Sequence, residues 1–175
     1  MVSLGLLSAC QEPGATPPLA QRSAADTADQ TLFGVRLVLA DHGVQRALMQ
    51  ADTAFAFEDN TRTELRVVRT TFYTETGVKD GTLTSREGTY NSRAGNMEAR
   101  GNVVVISEDG RRLVTPHLRY DPQKNEISSD SAFVMTRPGE RLSGIGFTTD
   151  PNLARISVHA AASGSTTKSV AQPDR

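Results

Sequence analysis

Hydrophobic and polar residues alternate with a period of two through the middle of the chain. Residues 53–57 read Thr-Ala-Phe-Ala-Phe, and residues 155–159 read Arg-Ile-Ser-Val-His. This alternation predicts strands with one buried face, because successive side chains of a strand point to opposite faces. The apolar run at residues 103–106 predicts a strand that is more completely buried. The pattern therefore predicts an all-β domain over residues 31–159.

Turn-forming residues interrupt this alternation at intervals of roughly 8–17 residues, a spacing typical of hairpins. Examples are Asp-His-Gly at residues 41–43, Lys-Asp-Gly at 79–81 and Glu-Asp-Gly at 108–110. The Asp-Gly pairs supply the positive φ angles that tight hairpin turns require. No proline occurs between residues 19 and 115, as expected where backbone N–H groups pair between strands. The turns predict a meander of hairpins.

One segment, residues 44–51 (VQRALMQA), is also a candidate helix. Its apolar residues fit neither a period of 2 nor a period of 3.6 decisively. The alternation of residues 51–57 follows it without a break, so we predict a strand.

The chain also contains an internal repeat with an offset of thirty residues. Residues 96–103 align with residues 126–133, and the same offset relates Tyr90 to Tyr120. A less exact copy begins at Met49. Repeated units that cannot bury their own apolar face must stack on their neighbours. The repeat predicts an elongated stack of short antiparallel strands around a continuous interior.

Composition excludes several classes of function. The chain has 19 Lys and Arg against 20 Asp and Glu, so its net charge of -1 argues against a nucleic-acid partner. Cys10 is the single cysteine, which excludes a disulfide framework and a Cys-based zinc site. No nucleophile elbow, HExxH motif or P-loop is present. We expect no enzymatic activity, no metal and no cofactor.

The N-terminus carries a candidate modification site. Residues 7–10, Leu-Ser-Ala-Cys, resemble the lipobox of bacterial lipoproteins, in which the cysteine is diacylated. The alternative is an unmodified cysteine at a mobile end. The apolar segment before Cys10 is shorter than the roughly 15–30 residues of a signal peptide and has no Lys or Arg. Residues 1–10 are therefore predicted to be a truncated or degenerate lipoprotein signal.

Two further segments have too few large apolar side chains to form a core. Residues 11–30 are rich in Pro, Ala, Gln and Asp and are predicted to be a disordered tether. Residues 160–175 are small and polar and are predicted to be a disordered tail.

The predicted interior is the candidate functional site. One interpretation is an ordinary core; the other is an apolar trough for acyl chains, in which each buried methylene gains about 0.8 kcal/mol. The repeat is expected to align six residues in one apolar stripe: Phe55, Phe57, Met97, Val103, Phe133 and Met135. Arg100, Arg111, Arg112 and Arg137 flank this stripe and are candidates for phosphate contacts at its rim. The candidate interior residues are Phe55, Phe57, Val67, Phe72, Met97, Val103, Val105, Leu113, Leu118, Phe133, Met135 and Phe147.

Several segments resemble the LptC family of lipopolysaccharide-export proteins, which shares its repeat with LptA. The clearest is MEARGNVVV at residues 97–105, and the likeness extends over roughly residues 32–158. The other segments are 65–77, 83–90, 109–115, 118–121 and 127–130. The resemblance implies an elongated, open periplasmic β-jellyroll, described as a twisted boat. It also implies that the candidate interior residues bind lipopolysaccharide.

The resemblance further implies partners. The family receives lipopolysaccharide from the permeases of an inner-membrane ABC transporter and passes it to LptA, and such jellyrolls dock end to end by adding strands. We expect an LptA-like jellyroll to dock at the last strands. The familiar family member has a transmembrane helix where this sequence has Cys10, so we expect a lipid-anchored protein of the inner membrane that faces the periplasm. The alternatives are a non-catalytic interaction scaffold of the cell envelope without a lipid ligand, and a small hydrolase with an unrecognised site.

Overall fold

The chain forms one antiparallel sheet of nine strands, each hydrogen-bonded to the next in sequence. The computed structural model describes residues 24–58 and 60–166, without the side chains of Asp26 and residues 160–166. The described elements are α1 (Ala24–Thr27), β1 (Gln30–Asp41), β2 (Val44–Phe57), β3 (Arg62–Tyr73), β4 (Lys79–Asn91), β5 (Asn96–Ser107), β6 (Arg112–Asp121), β7 (Glu126–Arg137), β8 (Glu140–Thr149) and β9 (Ile156–Thr166). In this part of the chain β1 and β9 do not pair, so the sheet is open. The predicted all-β, open jellyroll-like fold is confirmed.

The element boundaries differ from the sequence expectation at both ends of the domain. Strand β9 continues to Thr166, beyond the boundary expected at residue 159, and α1 lies inside the segment expected to be a tether. Backbone groups of β9 pair with β8 through Gly164 and Thr166, which requires no apolar side chain. The predicted strand at residues 44–51 is confirmed as part of β2. Cys10, most of the tether and the end of the tail lie outside the described residues.

A line of irregular pairing crosses the middle of every strand from β1 to β8; we call it the seam. Gly34, Asp52 and Val67 have no paired residue in the registers that join β1 to β4. Further along the sheet, the register shifts between Arg100 and Val103 in β5 and between Ser129 and Ala132 in β7. Positive φ angles occur on it at Gly34, Val67, Gly101, Asn102 and Gly146. Bulges of this kind bend a strand sharply. The seam therefore divides the sheet into two halves.

The two halves, which we call leaf A and leaf B, pack their inner faces against each other. Leaf A comprises residues 35–51, 68–85, 103–115 and 133–143; leaf B comprises residues 53–66, 87–100, 117–130 and 145–158. The rings of Phe72 in leaf A and Tyr120 in leaf B lie 4.8 Å apart, edge to face. Thr70 Oγ1 in leaf A also lies 3.6 Å from Met97 Sδ in leaf B. The side chains of the hydrophobic core fill the space between the leaves.

The thirty-residue repeat corresponds to a pair of strands. Strand β5 begins at Asn96 and β7 at Glu126, both have 12 residues, and both bulge at the seam. Four buried positions also match; for example, Met97 aligns with Ile127 and Val103 with Phe133. The fifth buried residue of β5, Ser107, aligns with the exposed Arg137. The predicted repeat is confirmed as a structural unit of the sheet.

Val67 has a strained backbone, and this leads to a prediction. Its φ is +54° and its side chain is 60% exposed, a conformation that costs an L-residue about 1–2 kcal/mol. Val67→Gly should raise the free energy of unfolding by about 0.5–1 kcal/mol, because relief of strain outweighs the entropy of glycine. Urea denaturation measures this change.

Val38→Gly is the matched control. Val38 is 58% exposed, also lies in a strand, and is not among the residues with positive φ. This substitution should lower the free energy of unfolding by about 0.5–1 kcal/mol, because it adds only the entropy cost of glycine. Destabilisation of similar size by both substitutions would contradict the strain at Val67.

Candidate functional site

The candidate site is the space between the leaves, and leaf A lines it with one continuous row of inward side chains. Cross-strand pairing joins the row from β1 to β8, with each residue directly opposite the next. Its members are Leu37, Met49, Thr70, Leu83, Val105, Leu113, Met135 and Leu142. Thr70 is the single polar side chain in the row, and it is directed at the Met97 sulfur. Seven strand-to-strand steps of about 4.8 Å give this row a length of roughly 34 Å.

Nine of the twelve predicted interior residues belong to this core. Each of the nine is at most 3% exposed, so the interior is filled by its own side chains. They are Phe72, Met97, Val103, Val105, Leu113, Leu118, Phe133, Met135 and Phe147.

The predicted inward placement is wrong for Phe55 and Val67. Phe55 is half-buried between the buried residues Ala54 and Ala56, and the Arg66 guanidinium lies 5.5 Å from its ring centre. Both Phe55 and Arg66 are therefore on the outer side of leaf B. Val67 lies on the outer side of the seam, where its positive φ turns it away from the core.

Phe57 differs from both groups. It is 7% exposed but is not a member of the core cluster. The Arg62 guanidinium covers its ring at 4.5 Å from the centre, so burial of Phe57 depends on a surface cation.

The error at Phe55 has a simple geometric cause. In β5 three residues separate the buried Ala99 and Val103, whereas in β2 two residues separate the buried Ala51 and Ala54. A difference of one residue moves every following side chain to the other face of a strand. The residue of β2 that corresponds to Val103 is therefore Ala54, not Phe55.

The edges of the leaves opposite the seam form the mouth of the interior, and charged groups are partly buried there. Arg46 is 7% exposed; its Nη1 lies 3.3 Å from Glu75 Oε1, and its Nε has no partner among the described residues. Burial raises the pKa of the Tyr120 hydroxyl, and the charge of Arg46 opposes this shift. Burial also raises the pKa of Asp80, against a hydrogen bond from Asn152 that lowers it.

Polar groups on the outer face of leaf B form a separate network around Glu98. Arg100 donates to Glu98 Oε2 at 2.9 Å and Arg119 donates to Oε1 at 3.1 Å. The Arg100 hydrogen bond lowers the pKa of Glu98, and those of His117 and Arg119 act in the same direction, against burial. Arg100 is therefore neutralised away from the interior.

Two of the other three arginines expected at the rim, Arg111 and Arg137, form ion pairs as well. Arg111 Nη1 lies 2.7 Å from Asp109 Oδ2, and Arg137 Nη2 lies 2.6 Å from Glu140 Oε2. Arg112 is exposed at the start of β6.

Two grooves follow the outer side of the seam. One, of about 440 Å³, is lined by Val67, Arg36 and Arg69 among others. The second, of about 380 Å³, is lined mainly by apolar groups that include Pro116 and Ala132. Members of the core cluster also line these grooves, namely Ala51 and Val68 in the first and Phe133 in the second.

The described residues contain no group of three or more His, Cys, Asp or Glu side chains that could hold a metal ion.

Residues 2–166 match a family model described as lipopolysaccharide-assembly, LptC-related. The chain belongs to the LptC-related family.

Membership of the LptC-related family gives the chain a role in lipopolysaccharide transport in the periplasmic envelope. It is a family of transport and scaffold proteins. No curated protein matches this LptC-related chain. Within the described residues, none of the helical structure is long or apolar enough for a membrane span.

Sequence reasoning missed a core residue, Leu153. Leu153 is fully buried between the leaves, in the turn between β8 and β9. A signal was present, because residues 150–152 read Asp-Pro-Asn, a strong turn sequence directly before a single leucine. Only the fold shows that this turn reaches leaf A.

Proposed function

We propose that this chain receives lipopolysaccharide from the permeases of an inner-membrane ABC transporter and passes it to an LptA-like jellyroll. The acyl chains lie between leaf A and leaf B during transit, and Cys10 anchors the chain to the inner membrane through lipid. Family membership supports the role in transport. The interior row supports the assignment of the lipid path.

The continuity of the interior row is the observation that carries this proposal. An acyl chain needs an unbroken apolar surface, and the row extends across eight strands with a single polar member. Its length of roughly 34 Å is about twice the ~15 Å occupied by the hydrocarbon of one bilayer leaflet. The row can therefore support a fatty acyl chain along its whole length.

Admission of an acyl chain requires the leaves to separate. Each strand pairs only with its sequence neighbours, so within the described residues no backbone ladder joins the two leaves across the mouth. Separation breaks side-chain contacts such as that of Phe72 with Tyr120. Apolar contacts with the acyl chain replace those lost, because burial of hydrocarbon is not directional.

The open edges of the sheet support strand addition as the mode of assembly. β1 and β9 are the terminal strands of the described sheet, and unpaired edge strands are templates for another chain. In this proposal the LptA-like jellyroll pairs with the edge at β9.

A second candidate function is an interaction scaffold without a lipid ligand. The observation that favours it is the filled interior, in which Phe72, Met97 and Leu118 are all 0% exposed. A filled core is also what an ordinary β-repeat protein requires.

Site-specific photo-crosslinking separates these two functions. A photoreactive residue is placed in turn at the inward positions Val103 and Phe133 and at the outward positions Phe55 and Glu98. The full chain is then incubated with lipopolysaccharide and irradiated. Adducts at Val103 and Phe133, without adducts at Phe55 and Glu98, are expected for lipid transit. If folded variants give no adducts at either inward position, lipid transit is contradicted and the scaffold function is supported.

A further inference from the structure

The turn between β8 and β9 lies at the free edge of leaf B and contacts the free edge of leaf A. It belongs to leaf B, yet Leu153 is 0% exposed and is a member of the core cluster. Leu153 also has a φ of +57°, a left-handed conformation that is uncommon for a residue other than glycine. The turn is thus held in an unusual conformation that inserts a leucine between the leaves.

Polar contacts hold this turn against leaf A. Arg111 Nη1 donates to the Asn152 carbonyl oxygen at 3.3 Å. Asp80 and Asn152 line the same small pocket, and the Asn152 side chain lowers the pKa of Asp80. Arg111 is itself oriented by its ion pair with Asp109 at 2.7 Å. These contacts cross the mouth from leaf A to leaf B.

The fit between the turn and leaf A is close at one glycine. A Cβ atom on Gly81 would lie 3.0 Å from the Pro151 carbonyl oxygen and 3.0 Å from that of Ile106. Contacts this short are rare for real Cβ atoms, so glycine at position 81 allows the turn to approach the edge of leaf A.

Backbone N–H groups of the turn donate to acceptors within the turn itself, so the turn can move as a unit. The Ala154 N–H donates to Asp150 Oδ1 at 2.9 Å and to Asn152 Oδ1 at 2.8 Å. The Leu153 N–H donates to the Asp150 carbonyl oxygen at 3.0 Å. None of these bonds involves leaf A, so detachment leaves them intact.

We propose that residues 150–155 form a clasp that closes the mouth of the interior and opens to admit the acyl chains of an amphiphile. The clasp rests on the proposed function, since it controls access to the same interior. Opening withdraws Leu153 and releases Asn152 from Asp80 and Arg111, while every strand ladder remains paired. The vacated space between the free edges is then open to hydrocarbon.

A reversible bridge across the mouth tests the clasp. The full chain carries Cys10→Ser, which removes its single cysteine, together with Asp80→Cys and Asn152→Cys. A short bifunctional methanethiosulfonate links the two thiols, and a photoreactive residue at Phe133 reports capture of purified lipopolysaccharide. Bridging should slow capture by about tenfold or more, as for a closed lid. Reduction of the bridge should restore it.

The matched control bridges two strands within one leaf. Glu98→Cys and Arg119→Cys lie directly opposite each other on β5 and β6, so the same reagent leaves the mouth free. Capture should be unchanged by this bridge. A second variant, Leu153→Ala, weakens the clasp without a bridge and should accelerate capture.

The outcomes distinguish the clasp from the proposed function. If the bridged protein captures lipopolysaccharide as fast as the unbridged one, or if Leu153→Ala fails to accelerate capture, the clasp is refuted while transit stands. A further chain keeps Asp80 and Asn152 and carries only the photoreactive residue at Phe133. If this chain captures no lipopolysaccharide, the proposed function fails and the clasp fails with it.

Discussion

Phe72→Ala should lower the free energy of unfolding by about 3–5 kcal/mol, the range for loss of a buried aromatic ring. Phe72 is 0% exposed, and its ring meets Tyr120 across the two leaves at 4.8 Å. The substitution removes apolar burial and leaves a cavity between the two leaves. Urea denaturation followed by circular dichroism measures the change.

Phe33→Ala provides a control of identical chemistry. Phe33 is 78% exposed on the edge strand β1, so its loss should change stability by no more than about 0.5 kcal/mol. An equal loss of stability in the two variants would contradict the packing of leaf A on leaf B.

Phe133→Asp is expected to have the largest combined effect on stability and function. Phe133 is 3% exposed and lies 5.0 Å from the Phe147 ring in the other leaf. A carboxylate at this position is buried without a partner, so stability should fall by about 3 kcal/mol or more. Capture of lipopolysaccharide should be lost, because the charge interrupts the apolar path.

Two further variants separate these effects. Val134→Asp places the same charge one residue along β7, on the outer face beside a groove, and should cost at most about 1 kcal/mol with capture retained. Phe133→Leu keeps the interior apolar and should retain capture despite a modest loss of stability. Normal capture by a folded Phe133→Asp protein would show that the interior is not the path.

The sequence predicts the elements of this fold because their signals are local. Alternation in residues 155–159 and the Glu-Asp-Gly turn at residues 108–110 depend on a few neighbouring residues, and both correspond to an observed strand and turn. The turn predicted at residues 79–81 is wrong, because these residues begin strand β4 and Gly81 is not among the glycines with positive φ. The repeat is also present in three dimensions, since β5 and β7 share four buried positions at the same spacing.

The assignment of faces is less predictable, and the reason is the seam. A single missing residue in β2 and a positive φ at Val67 each reverse the face of the side chains concerned. Simple alternation carries no information about either irregularity. Phe55 and Val67 were therefore expected inside, although the structure has them outside.

For this protein, the sequence by itself determined the strands, their turns, the repeat and the likeness to the LptC family, since each depends on residue order over a short span. Tertiary structure alone decided which side chains meet between the leaves and which turn packs against the edge of leaf A. Residues 81 and 151 are far apart in sequence and adjacent in space. Their contact depends on how sharply the seam folds the whole sheet, and no local pattern encodes that angle.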